Sequence, residues 1–180
     1  MVDRDEMGGV ADEELLDPSS GSGHLWTLAG MVFDGVVASA AGLVGSALLT
    51  VALVAAAAVG GFDFESFLGL ADLVGATAVL GPERAVAGGY ALFLASGMTV
   101  WPLLLASLAR YLPGESFAAK GTVFGGLLWA WFAIAFYDGS TGLSLAVYAA
   151  ATLVGHLGYG FVLGRVFDYL GGRATTLARR

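Results

Sequence analysis

A single histidine interrupts the apolar run "ATLVGHLGYGFVLGR", residues 151–165. Tyr148, Thr152 and Tyr159 stand eight and four residues before His156 and three after it. Those spacings place all four side chains on one face of an α-helix. In a membrane helix such a face turns toward neighbouring helices and away from lipid. Three chemistries suit it. A neutral imidazole can hydrogen-bond to hydroxyls and hold helices together, titrate as a proton relay, or ligate a cofactor. Asp34 and Arg110 join Tyr148, Thr152, His156 and Tyr159 as the candidate intramembrane polar cluster. Both lie near the ends of apolar runs on the side toward which Tyr159 points. They can meet His156 only if the first and fourth spans are neighbours. A bis-histidine haem would need His24, which lies outside the apolar runs, so no cofactor is expected.

The elements that must position this face follow from composition. Of 180 residues, 57% are hydrophobic and 13% charged, and mean hydropathy is +0.79. The apolar residues fall in long runs, which marks an integral membrane protein. The absence of cysteine removes disulfides, thiolate metal sites and a cysteine nucleophile. The net charge is −7, and acids crowd residues 3–17. That balance argues against nucleic-acid binding. Lysine occurs once, at Lys120. An acidic, lysine-poor chain suits a salt-loving archaeon; an ordinary solvated acidic tail is the plainer reading. No Gly-rich phosphate loop, nucleophile–base pair or metal-ligand cluster is apparent, so no enzymatic activity is expected.

Four spans are expected, at about residues 35–58, 85–109, 117–137 and 143–166, within a transmembrane domain covering about 25–170. Residues 1–24 read as a disordered acidic cytoplasmic tail ending in the linker "DPSSGSGH", and 171–180 as a basic cytoplasmic tail. Residues 25–34 read as a helical lead-in. The segment of about 64–80 carries Glu65 and Asp72 and is too interrupted for a confident span, which predicts a short interfacial helix. Pro102 should kink the second span. Arg4, Arg110, Lys120, Arg165, Arg173, Arg179 and Arg180 fall on one side of this layout and Arg84 on the other. Both termini are therefore expected in the cytoplasm.

"GMVFDG" at 30–35 matches "GTVFGG" at 121–126, and "RYLPG" at 110–114 matches "DYLGG" at 168–172. Two tandem helical hairpins would explain this, as would chance in a Gly-rich alphabet. Gly35, Ser39, Gly42 and Ser46 form a small-residue stripe on the first span. Gly121 with Gly125, and Gly160 with Gly164, repeat the small-xxx-small spacing that lets helix backbones approach in lipid. Trp129 and Trp131 read as packing residues. Arg165 and Asp168 read as a surface ion pair.

Through "GTVFGGLLW" at 121–129, "WPLL" at 101–104 and "HLGYGFVLGRV" at 156–166, the chain resembles an uncharacterised family of small four-span membrane proteins common in haloarchaea. The resemblance covers roughly residues 28–168. Some relatives are described as associated with terminal oxidases, which implies an accessory role at most. A true oxidase subunit would need several membrane histidines, and this chain has one.

The fold expectation is an all-α integral membrane four-helix bundle with a short interfacial helix. The leading functional expectation is a non-enzymatic accessory or assembly component of a larger membrane complex. Its partners would be the lipid bilayer and a membrane-protein partner or a second copy, with no nucleic acid. The alternative is a small transporter or proton-conducting module using Asp34 and His156.

Overall fold

A computed structural model describes the backbone over residues 18–177 and side chains over 30–171. The described residues form an all-α chain with four helices long and apolar enough to cross a membrane. The acidic residues expected to form most of the disordered tail lie outside the described residues. So do His24 and Trp26 as side chains, and residues 178–180.

Helix α1 runs unbroken from Pro18 to Ala58. Proline suits a first helical turn because its missing N–H has no intrahelical role there. The expected linker therefore turns helical at Pro18, and the lead-in and first span are one helix. The chain divides into two units, residues 1–36 and 37–180. The leading unit shows exposed Met31, Val32 and Phe33 on α1. Residues 37–180, with the rest of α1 and all later elements, form the second unit.

Helix α1 stops in a Schellman motif. Gly60 adopts φ +73°, and the Gly61 and Gly60 amides return to the carbonyls of Ala56 and Ala57 at 2.8 and 3.1 Å. The expected single interfacial helix is instead three short pieces. A 3-10 turn at Phe64–Phe67 is capped by the Asp63 carboxylate, which accepts from the Glu65 amide at 2.9 Å. Helices α2 (Leu68–Leu73) and α3 (Ala76–Leu80) follow. Gly75, in the left-handed conformation at φ +71°, separates them. One continuous helix cannot pass through that geometry.

The second span is α4 (Pro82–Met98) followed by α5 (Val100–Leu108), broken at Thr99 with φ −123°. Pro102 lies three residues beyond the break. It has no N–H to offer the Met98 carbonyl, and its ring crowds that turn. The third span, α6 (Phe117–Ala135), starts at the Ser116 cap, whose hydroxyl accepts from the Ala119 amide at 3.1 Å. The fourth, α7 (Gly142–Leu177), continues past the expected end of its span.

Glycine decides how the spans meet. A Cβ on Gly42 would strike the Gly97 carbonyl, which brings α1 against α4. Gly45 backs onto Tyr159, and Gly155 onto Leu49, so α1 also packs on α7. Gly121 and Gly160 face each other backbone to backbone, Gly125 meets the His156 carbonyl, and Gly164 meets Phe117. Helices α6 and α7 thus meet with no room for side chains at these positions. The spatial order is second, first, fourth, third.

A cavity lies between the second and third spans. At one end of it Phe62, Phe67, Phe93, Phe132 and Phe136 pack ring on ring, with Phe132 and Phe136 4.3 Å apart. Toward the other end Leu105, Phe124, Tyr159 and Leu163 form a second core.

Candidate functional site

The polar face of α7 is buried. Tyr148, Thr152, His156 and Tyr159 are 5%, 0%, 4% and 2% exposed. Their hydroxyls have definite partners. The Tyr148 hydroxyl donates to the carbonyls of Phe132 and Ala133, both at 3.2 Å. Trp129 donates its indole N–H to the Thr152 hydroxyl at 3.1 Å, and that hydroxyl donates to the Tyr148 carbonyl at 2.6 Å. These bonds tie α7 to α6. Tyr159 ties α7 to the second span by donating to the Gly97 carbonyl at 2.7 Å. Between α1 and α4, Thr50 donates to the Ser46 carbonyl at 2.8 Å. That uses the only proton of its hydroxyl, so Tyr90 donates to Thr50 in their 2.8 Å contact.

His156 differs from its neighbours. Its Nδ1 lies 2.8 Å from the Thr152 carbonyl oxygen, and its ring lies 4.8 Å from that of Phe132. Its Nε2 has no hydrogen-bond partner among the described residues. The residue sits fourteen positions past Gly142 and fifteen before Gly171, the ends of the fourth span, and so near the middle of that span.

His156 lines a cavity of about 650 Å³. The walls are apolar: Leu92, Phe93 and Trp101 on the second span, and Leu127, Leu128 and Trp131 on α6. Leu70 and Val74 of the short segment border one end. Ser46, Ser96, His156 and Tyr159 make the polar part of the lining, and none of the lining side chains is charged.

Arg110, an expected member of the cluster, stands elsewhere. Arg110 is exposed, with its guanidinium 4.5 Å from the centre of the Tyr111 ring. A long cationic side chain at a helix end reaches for water along an aromatic face rather than into an apolar bundle. Asp34 is exposed on the leading unit, where a carboxylate keeps its solvation. The small-residue set also divides. Gly42, Ser46, Gly121, Gly125, Gly160 and Gly164 lie at helix contacts, whereas a Cβ on Gly35 would meet nothing within 4 Å and Ser39 is half-buried.

Sequence reasoning missed Trp129 as a hydrogen-bond donor, because its partner is on another helix. Trp131, read as packing, is 76% exposed at the cavity wall. Asp168 forms no surface pair with Arg165. Its carboxylate caps α6 from α7, accepting from the Phe117 and Ala118 amides at 2.8 and 3.0 Å. Among the described residues no three His, Asp or Glu side chains gather to hold a metal ion.

Four apolar spans joined by glycine seams, with their polar face turned inward, define a helical-bundle integral membrane protein. The chain belongs to the family of unknown function DUF6789, whose model matches residues 32–178. No curated protein and no solved structure matches it significantly.

Proposed function

We propose that this chain is a non-enzymatic accessory component of a larger membrane complex, and that it holds a small lipid-soluble molecule between its second and third spans. The observation that carries the small-molecule part of this reading is the cavity of about 650 Å³, with apolar walls and inner polar groups. Its volume falls within the roughly 300–1,000 Å³ of small-molecule sites. A spanning helix about 10 Å across and 30 Å long would occupy roughly 2,400 Å³ and would not fit. An occupant of this size enters sideways from lipid. The arginine and lysine distribution supports cytoplasmic termini. The acidic, lysine-poor composition and the resemblance to haloarchaeal proteins support a salt-loving archaeal host.

The proton-conducting reading has less support. The hydroxyls of Tyr148, Thr152 and Tyr159 donate to backbone carbonyls, and Asp34 and Arg110 are exposed.

The test is purification from native membranes followed by mass spectrometry of solvent-extracted material. A stoichiometric apolar small molecule is expected with the wild-type chain, together with a protein partner. Leu92→Trp, which fills the cavity, should lose the small molecule. A chain that carries none, yet conducts protons in proteoliposomes through Asp34 and His156, would establish the rival reading instead.

A further inference from the structure

We propose that the cavity selects an amphiphile with a neutral hydroxyl head, a long-chain alcohol or phenol, whose O–H donates to Nε2 of His156. The inference rests on the cavity being a small-molecule site and adds the chemistry that would recognise the guest.

The tautomer follows from the partner. A carbonyl oxygen only accepts, so the 2.8 Å contact with Thr152 places a proton on Nδ1. In the neutral ring Nε2 then carries a bare lone pair. His156 is 4% exposed, borders the cavity, and has nothing bonded to Nε2 among the described residues. Ser46 repeats the pattern. It is 1% exposed, borders the same cavity, and its hydroxyl has no partner among the described residues. The other two hydroxyls of the lining, Tyr159 and Ser96, already donate to the carbonyls of Gly97 and Phe93. Of the lining side chains, His156 therefore offers a bare acceptor and Ser46 a hydroxyl that can donate or accept.

The walls exclude the other guests. A plain acyl chain would fill the apolar space and leave Nε2 unpaired, which costs free energy at a buried site. A charged head would sit near the middle of a span with no charged side chain in the lining to balance it. A neutral hydroxyl satisfies the acceptor and keeps its apolar body among Leu92, Leu127 and Leu128.

The experiment uses the full chain in nanodiscs and reads quenching of tryptophan fluorescence, since Trp101 and Trp131 line the cavity. The probes are 12-bromododecan-1-ol and its methyl ether, which keeps the oxygen and loses the donor. Wild type should show saturable quenching by both, with the alcohol bound about five- to tenfold more tightly, the worth of one neutral hydrogen bond. His156→Phe should erase that preference and leave ether binding unchanged. His156→Gln, which keeps an acceptor, should restore part of it, and Ser46→Ala should reduce it. Ser96→Phe, which fills the cavity, should remove saturable quenching by both probes. Equal affinity of alcohol and ether in wild type would overturn the hydroxyl recognition and leave the cavity reading standing. Absence of saturable quenching by either probe would overturn the cavity reading and the recognition with it.

Discussion

The Tyr159 hydroxyl donates to the Gly97 carbonyl at 2.7 Å, across 62 residues of sequence. The bond joins the fourth span to the second two residues before that span breaks at Thr99. Ser46 of the first span packs against Gly97 as well, so three spans converge on one glycine. Tyr159→Phe keeps the ring and removes the bond. It should lower stability by about 0.6–1.7 kcal/mol, the measured scale for such bonds in membranes. Thermal unfolding in detergent reads this, and a change above about 3 kcal/mol would mean the hydroxyl holds more than one partner.

The α6–α7 seam should tolerate no side chain. Gly121→Ala and Gly160→Ala each drive a methyl group into the facing backbone carbonyl, and should destabilise by about 1–3 kcal/mol through forced separation of the helices. Gly35→Ala, where a Cβ meets nothing within 4 Å, should change stability by less than about 0.5 kcal/mol. Denaturant titration of the three variants compares them, and equal effects would contradict the seam.

Asp168→Ala should cost about 1–2 kcal/mol by uncapping α6, and should speed amide exchange at Phe117 and Ala118, the two amides it holds. Arg165→Ala should leave both amides protected. Hydrogen exchange resolved at those residues separates a capping carboxylate from a surface ion pair.

The loop between the third and fourth spans has its own pH response. Asp138 accepts from both the hydroxyl and the amide of Ser140, and these bonds hold its carboxyl below the usual value of 3.8. A lowered folded value means that the loop order is present above the ordinary carboxylate range and lost as pH falls through the folded value. Ser140→Ala should move the Asp138 titration up toward 3.8. Carboxyl NMR follows it directly, and an unmoved titration would remove the role of the hydroxyl.

Both termini should face the cytoplasm. Cysteines introduced at Ser19 and Ser140 should react with an impermeant reagent from opposite sides of the membrane. Labelling of both from one side would contradict four crossings.

Long apolar runs made the four spans legible, because a bilayer imposes length and composition on each crossing independently of the others. The α7 stripe was legible for a similar reason: helical periodicity alone places Tyr148, Thr152, His156 and Tyr159 on one face. The small-residue spacing likewise marked Gly121, Gly125, Gly160 and Gly164 before any partner was known. What each group touches was not in the sequence. Asp168 caps a helix that begins 51 residues earlier, and Trp129 reaches Thr152 across a seam that only the packed α6–α7 pair creates. Arg110 looks like a cluster member in a linear layout, but solvation draws its charge outward. The cavity was least legible of all. It exists because glycine seams bring the first and fourth spans together at Gly45 and Gly155, while bulky Trp101, Phe124 and Trp131 line the space between the second and third. Local residue types fix the helices, whereas helix order depends on which faces can approach, and that is decided only when all four pack together.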